Sequence, residues 1–166
     1  GLEYVGILYA GLMIIDNEPH VLEFNCRFGD PETQSTMMRL KSNIIPYVES
    51  TINKELDSVE PIAWNKGATA CVIMSSKGYP QEYEKGKVIS GINDIKNKDS
   101  TVIFHSGTTV KNNEIITNGG RVLGVTSIGK NINDATNRTY EAIKTINFDG
   151  MHFRKDIAKM AKDFSV

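Results

Sequence analysis

The chain has 166 residues, with 19 Lys and Arg residues against 20 Asp and Glu residues, which gives a formal net charge of −1. Because nucleic-acid-binding proteins usually concentrate basic residues on one face, this balance argues against a nucleic-acid partner. No apolar run reaches the roughly 20 residues that cross a bilayer, and no signal peptide opens the chain. We therefore expect an ordered, cytoplasmic protein with no membrane partner.

The amino-terminal third predicts a hairpin followed by helices. Residues 4–15 form an almost unbroken apolar run, which predicts a strand buried on both faces. Turn residues at 16–19 separate this run from an alternating segment at 21–28, so the pair predicts a β-hairpin. Helical spacing of apolar residues over 32–52 predicts a helix and then a shorter one, divided at Pro46.

The rest of the chain predicts a second structural unit. Residues 53–66 are polar and resemble a linker, so we place two domains at 1–60 and 61–166. Short strands are predicted at 68–75, 88–89, 101–105, 114–117 and 121–128. A helix capped by Asn131 or Asn133 follows, and a last helix is predicted to begin near Arg154. Strands followed by helices indicate an α+β fold.

Several apolar or weakly polar residues are most simply explained as core. Two cysteines, Cys26 and Cys71, lie in apolar runs and are too few for a disulfide or zinc framework. We expect both to be reduced and buried. Trp64 and the adjacent pair Met37 and Met38 are likewise predicted to pack in the core.

The segment at 21–32 carries the clearest chemical signal. Side chains alternate between the faces of a strand, so Leu22, Phe24, Cys26 and Phe28 are predicted to face the core. Opposite them lies a polar row of Glu23, Asn25 and Arg27. The carboxylate and the amide oxygen can share one hard cation, because Mg²⁺ is usually held by one or two protein oxygens together with substrate phosphates. An arginine in line with that cation suits phosphoryl transfer.

A polar row on a strand also has an ordinary explanation. Exposed alternation is common in antiparallel sheets, and by itself Glu-x-Asn-x-Arg is compatible with a solvated face. The continuation favours chemistry, because Asp30 and Glu32 follow in a Gly-Asp-Pro-Glu bend directly before a helix. Asp30 in that position is either a helix cap or a substrate contact.

These residues resemble the phosphoribosylamine–glycine ligases of purine biosynthesis. The resemblance runs in order along essentially the whole chain and is carried by residues 6–13, 21–34, 39–42, 77–80, 85–86, 104–108, 120–122 and 154–157. It implies the C-terminal part of an ATP-grasp core followed by a mixed-sheet C-terminal domain. Together with the start at Gly1 instead of Met, it also predicts a fragment that is inactive alone.

The resemblance implies a reaction and roles for individual residues. In this family, glycine is joined to 5-phosphoribosylamine through a glycyl phosphate, and ATP is cleaved to ADP and phosphate. Glu23 and Asn25 would hold Mg²⁺ or Mn²⁺ against the ATP phosphates, and Arg27 would steady the transferring phosphoryl group. The strand before them offers no further acidic ligand at 8–13.

Other polar residues are candidate substrate or phosphate contacts, and each has a plain structural alternative. His105 lies at the end of a predicted strand, where a histidine more often satisfies a local hydrogen bond. A sugar phosphate needs a cation, which Lys41, Arg121 or Arg154 would each supply, although surface cations are common.

Two other functions remain open at this point. A biotin-dependent carboxylase also resembles the Glu-x-Asn-x-Arg strand, although the phrase from Arg27 to Glu32 argues against it. A non-catalytic binding module derived from an ATP-grasp protein would show the same resemblance without the activity.

Overall fold

The computed structural model describes residues 3–163, which contain eight strands and three α-helices. The strands are Tyr9–Ile15 (β1), Glu18–Asn25 (β2), Ala68–Ser76 (β3), Thr101–His105 (β4), Thr108–Lys111 (β5), Glu114–Thr117 (β6), Arg121–Gly129 (β7) and Met151–His152 (β8). The helices are Glu32–Arg39 (α1), Ile45–Asn53 (α2) and Ile132–Ile143 (α3). Short 3₁₀ turns lie at Leu56–Ser58, Ile92–Asp94 and Met160–Asp163. This mixture confirms the predicted α+β class.

The chain divides into two compact units. The first contains the described residues up to Thr33 together with Leu40–Asn65, and the second contains Gln34–Arg39 and the residues from Lys66 onward. The division therefore falls at 65/66, and most of α1 is assigned to the second unit. The boundary after residue 60 stays a prediction about domains.

The hairpin of the first unit forms as predicted. β1 and β2 pair antiparallel, with Ile15 opposite Glu18 at the turn and Tyr9 opposite Asn25 at the open end. Asp16 and Asn17 have φ values of 50° and 66°, which is the left-handed conformation that a two-residue type I′ turn requires at both positions. The strand itself begins at Tyr9 and not at residue 4.

The predicted burial of this hairpin is wrong. β1 is mostly exposed among the described residues, and the predicted core face of β2 is exposed too, with Leu22 at 64% and Phe24 at 62%. Cys26 and Phe28 are also exposed, so the predicted burial of Cys26 is wrong, and its thiol is free in the structure. A sheet face is buried only when another layer packs on it, and the described chain supplies no such layer for the hairpin.

The two predicted helices are present and are divided as expected. α1 ends at Arg39, and Pro46 lies in the first turn of α2, where its missing N–H costs no helical hydrogen bond. α2 has nine residues against eight for α1, so the second helix is not the shorter one. Met37 and Met38 are half-buried, whereas Trp64 is 46% exposed and is not a core residue.

The second unit is built on a four-stranded antiparallel sheet in the order β4-β7-β3-β8, with β5 and β6 as a separate hairpin. The predicted strands at 101–105 and 114–117 coincide with β4 and β6, and those at 68–75 and 121–128 are each one residue short. The segment at 88–89 forms one isolated bridge, between Val88 and Ile116, and no strand. β5 and β8 were not predicted.

Helix α3 packs on this sheet and closes the core. Its apolar side joins β3 and β7 in one buried cluster. The fully or almost fully buried members are Val72, Met74, Val122, Leu123, Val125, Ile143, Ile146 and Phe148. Cys71 lies on β3 outside this cluster and is half-buried with a free thiol, so its predicted full burial is wrong.

Of the two helices predicted in the second unit, one is correct and one is wrong. Asn131 caps α3, because its side chain accepts a hydrogen bond of 2.9 Å from the Asp134 N–H. No α-helix begins near Arg154 among the described residues, which show only the 3₁₀ turn at Met160–Asp163. The predicted end of that helix, at 164–166, lies outside the described residues. Over residues 3–163, no helix is both long and apolar enough to cross a membrane.

Candidate functional site

The polar row of β2 is present and forms the centre of the first candidate site. Asn25 donates a hydrogen bond from Nδ2 to Oε1 of Glu23 over 3.1 Å. Both side chains therefore leave the same face of the strand, as the alternation predicted. Arg27 follows just beyond the strand, is exposed, and donates from Nη1 to the Phe28 carbonyl oxygen over 2.9 Å.

The site offers two oxygen ligands to a cation, one from Glu23 and one from Asn25. Among the described residues, no group of three or more His, Cys, Asp or Glu side chains is arranged to hold a metal ion. The pair formed by Glu23 and Asn25 nevertheless fits Mg²⁺, which keeps most of its waters and takes one or two protein oxygens with substrate phosphates. The Asn25 amide would turn by half a rotation to present Oδ1.

Gly11 makes room for this pair on the neighbouring strand. It lies opposite Glu23 in the hairpin register. A Cβ atom at Gly11 would lie 3.1 Å from Cγ of Glu23 and 3.6 Å from the Tyr9 ring. Because Gly11 has no side chain, the side chains of Glu23 and Tyr9 can lie close to its backbone.

The bend after β2 brings a second carboxylate to the site. Asp30 and Pro31 are joined by a cis peptide bond, and the Thr33 N–H donates to the Gly29 carbonyl oxygen over 3.0 Å. Glu32, the first residue of α1, folds back so that a Cβ atom at Gly29 would collide with its Oε2. The bend is thus closed by its own backbone and by Glu32.

Tyr9 is a member of this site that the sequence analysis missed. Its hydroxyl donates to Oε1 of Glu32 over 3.3 Å. Loss of water around the phenol raises the pKa of Tyr9, the carboxylates of Glu32 and Glu23 raise it further, and Arg27 lowers it. Three charged residues of the site therefore act on one hydroxyl. The signal was the hairpin register, which sets Tyr9 opposite Asn25.

A second candidate site lies at one end of the sheet in the second unit. β4 ends at His105 and β7 begins at Arg121, and the Gly107 N–H donates to the Arg121 carbonyl oxygen over 2.8 Å. The His105 ring shares a hydrogen bond of 3.0 Å between Nδ1 and Oγ1 of Thr108. The structure therefore brings His105 and Arg121 to neighbouring strand ends.

Hydrogen bonds join the end of β3 to the turn that precedes β7. The Ser76 N–H donates to the Gly120 carbonyl oxygen over 2.8 Å, and the Ser76 hydroxyl donates to the Gly119 carbonyl oxygen over 3.0 Å. The Tyr79 ring lies against Gly120, where a Cβ atom would collide with it. These contacts fix the Gly-Gly turn that leads into Arg121.

The two remaining predicted contacts are Lys41 in the first unit and Arg154 in the second. Lys41 is exposed in the first unit, just after α1, and its backbone N–H donates to the Ala63 carbonyl oxygen over 2.9 Å. Arg154 makes a two-pronged ion pair with Asp156, at 3.0 and 2.8 Å. That pair lowers the pKa of Asp156, and it engages two guanidinium nitrogens that an anion would otherwise use.

Comparison with known proteins assigns both parts of the chain. Residues 1–33 match the model of the phosphoribosylglycinamide synthetase ATP-grasp (A) domain, so the hairpin site is of the ATP-grasp ligase class. Residues 69–160, more than half of the chain, match the model of the phosphoribosylglycinamide synthetase C domain. The chain belongs to the phosphoribosylglycinamide synthetase family.

Individual relatives agree with this assignment. The phosphoribosylamine–glycine ligase of Synechocystis sp. is 42% identical over 162 residues, which cover 97% of this chain and 38% of that protein. The enzyme of the same name from Nostoc sp. is 47% identical over 159 residues, which cover 95% and 37%. The trifunctional purine biosynthetic protein adenosine-3 of Gallus gallus is 44% identical over 164 residues, covering 99% of this chain and 16% of that protein.

A solved structure shows the same fold. The crystal structure of phosphoribosylamine–glycine ligase from Thermotoga maritima matches with a TM-score of 0.76 and 32% sequence identity, over 90% of this chain and 36% of that one. The chain therefore spans less than two fifths of the length of the ligases that it matches.

Proposed function

We propose that this chain is the C-terminal part of a phosphoribosylamine–glycine ligase, which joins glycine to 5-phosphoribosylamine at the expense of ATP. Two facts support the proposal: the family to which the chain belongs, and the names of its relatives. The single observation that carries the chemistry is the contact between Glu23 and Asn25 in the segment that matches the ATP-grasp domain.

The proposed reaction has two steps. A carboxylate oxygen of glycine attacks the γ-phosphorus of ATP, the bond to the β-phosphate oxygen breaks, and ADP leaves. The amine of phosphoribosylamine then attacks the acyl carbon of the glycyl phosphate, loses a proton and displaces phosphate. Both steps depend mainly on positioning and on neutralising the charge of the phosphoryl oxygens.

The residues of the first unit are assigned to the first step. Glu23 and Asn25 would hold Mg²⁺ or Mn²⁺, which supplies positive charge to the ATP phosphates when bound. Arg27 would hold oxygens of the transferring phosphoryl group with its planar guanidinium, a task for which lysine is a poor replacement. Asp30 and Glu32 lie in the bend beside this row and are proposed to contact substrate, as is Lys41.

The second unit is assigned to the sugar phosphate. Arg121 provides the cation and His105 a hydrogen-bonding ring at neighbouring strand ends. Arg154 is a further candidate for this role, and its guanidinium already makes an ion pair with Asp156. Family membership leaves no support for the biotin-dependent carboxylase alternative, whereas a non-catalytic module remains an outcome of the test.

The test is a substrate-omission assay on the full-length protein. ADP release is measured in Mg²⁺ and ATP with glycine and freshly prepared phosphoribosylamine together, and with each omitted in turn. Release that requires both substrates is the expected result. Release that ignores either substrate would assign a different ligase reaction, and no release with any combination would support the non-catalytic module.

A further inference from the structure

The hydroxyl of Tyr9 connects two parts of the site that are distant in sequence. Tyr9 opens β1 opposite Asn25, a candidate metal ligand, and its side chain reaches Glu32 at the start of α1. The two residues are 23 positions apart. The hydroxyl therefore joins the strand pair that carries Glu23 and Asn25 to the bend that carries Asp30 and Glu32.

The hydrogen bond of the Tyr9 hydroxyl goes to Glu32. A phenol has one proton and donates one hydrogen bond. In the structure that bond runs to Oε1 of Glu32 over 3.3 Å. Oε1 of Glu23 meanwhile accepts from Asn25, its partner in the candidate metal site.

The Glu32 side chain is long, and the Tyr9 hydroxyl is one of its partners. Glu32 is exposed and is the first residue of an eight-residue helix, and a glutamate side chain has three rotatable bonds to fix. Its Oε2 lies in the space that a Cβ atom at Gly29 would occupy. The Tyr9 hydroxyl donates to Oε1, so this hydrogen bond contributes to the direction of the carboxylate.

We propose that Tyr9 is a positioning residue that orients the Glu32 carboxylate toward the bound substrate. The proposal rests on the proposed function, because Glu32 is there assigned to substrate contact. It makes no claim that Tyr9 touches a reacting atom. It also separates Tyr9 from the metal pair, since its hydrogen bond goes to Glu32 and not to Glu23.

The test is a mutant cycle in the full-length protein. The variants are Tyr9→Phe, Glu32→Ala, the double variant and the control Tyr47→Phe. Tyr47 is matched because it lies in the same unit and its hydroxyl donates to the Glu60 carbonyl oxygen over 2.9 Å, which engages no candidate site residue. We expect Tyr9→Phe to lower kcat/KM about 3- to 10-fold, and Tyr47→Phe to change it less than about 2-fold.

The double variant shows whether Tyr9 acts through Glu32. If Tyr9 acts through Glu32, adding Tyr9→Phe to Glu32→Ala changes kcat/KM by less than about 2-fold, because the acceptor is already gone. A full additional loss in the double variant would overturn the proposal, as would wild-type activity of Tyr9→Phe. If Glu32→Ala has no measurable activity, the Mg²⁺ titration of Tyr9→Phe decides between the two roles of Tyr9.

Metal activation provides the second readout. The Mg²⁺ concentration that gives half-maximal activity should be the same in Tyr9→Phe and wild type, because the metal pair keeps its contact. A shift of about 3-fold or more would overturn the proposal and assign Tyr9 to the metal site. If wild-type turnover depends on other substrates, the proposed function fails, and the same variants are scored with those substrates, so the two failures are distinct.

Discussion

Asn25 and Glu23 are joined side chain to side chain, by a hydrogen bond of 3.1 Å from Nδ2 to Oε1 on the exposed face of β2. Their separation of two positions along one strand makes this contact possible, because alternate side chains share a face. The same proximity places a carboxylate and an amide oxygen within reach of one cation. The proposed metal site depends on this relationship.

Replacing Glu23 by Gln in the full-length protein should lower kcat by about 100-fold or more while leaving the fold intact. The charge that would hold the metal is lost, but the side chain is exposed and supports no core packing. Activity is measured across a Mg²⁺ titration, with circular dichroism as the check on folding. Glu18→Gln is the control, because Glu18 is exposed at the turn end of the same strand. Equal activity of both variants at every Mg²⁺ concentration would remove Glu23 from the metal site.

Truncating Phe24 should cost little stability in this chain. Phe24 is 62% exposed, so Phe24→Ala is expected to lower the free energy of unfolding by less than about 1 kcal/mol. Leu123→Ala, at a fully buried position of the core, should cost about 3–5 kcal/mol. Urea denaturation of the two variants measures the difference. A loss of several kcal/mol for Phe24→Ala would restore the burial that the alternation first predicted.

Removing one buried hydroxyl should stabilise the second unit. Thr126 is fully buried on β7, and its Oγ1 has no hydrogen-bond partner among residues 3–163. Thr126→Val keeps the shape and removes the unsatisfied group, so the free energy of unfolding should rise by about 1 kcal/mol. Thr139→Val is the opposite control, because the Thr139 hydroxyl shares its one proton between the Ala70 and Ala135 carbonyl oxygens, each 3.0 Å away. Urea midpoints that move in the same direction for both variants would contradict this account of Thr126.

The start of α3 should lose stability in acid. Two hydrogen bonds lower the pKa of Asp134. The one from the Arg138 side chain has the larger effect, and the one from the Lys130 N–H has the smaller effect. A carboxyl with a lowered folded pKa contributes stability above its unfolded value of about 3.9, and that contribution disappears as pH falls through the lower folded value. Asp134→Asn should therefore destabilise the chain at pH 7 and less so near pH 2.

The cap at the same helix end is the matched control for this pH dependence. Asn131 does not titrate, and its side chain accepts from the Asp134 N–H. Asn131→Ala should cost about 1 kcal/mol at every pH. Urea denaturation at pH 7 and at low pH compares the two variants. An Asp134→Asn effect that is as constant as the Asn131→Ala effect would show that the ion pair adds nothing.

Local chemistry made much of the fold predictable. Asn131 in front of an amphipathic run signalled a helix start, and Pro46 signalled a helix boundary, because both effects act within a few residues. The hairpin of β5 and β6 was not predicted, although its turn contains Asn112 and Asn113, with φ values of 50° and 65° that favour a tight turn. Asparagine adopts positive φ more readily than most residues, so the adjacent pair is the sequence feature that marks this turn.

Burial and long-range contacts were not predictable in the same way. The alternation of β2 set the polar row on one face correctly, but whether the other face is buried depends on what packs against it, as exposed Phe24 shows. The link from Tyr9 to Glu32 depends on the hairpin register and on the bend after it. The roles of His105, Lys41, Arg121 and Arg154 stay predictions, because a cation or a ring at a strand end is common to many functions.

The measurement that tests the central claim most directly follows the oxygen of glycine. Full-length protein turns over with glycine whose carboxylate carries heavy oxygen, and the phosphate product is analysed by mass spectrometry. Activation of glycine through a glycyl phosphate predicts that one labelled oxygen is transferred to each phosphate released. Unlabelled phosphate accompanied by normal product formation would contradict phosphoryl transfer to glycine at the site of Glu23 and Asn25.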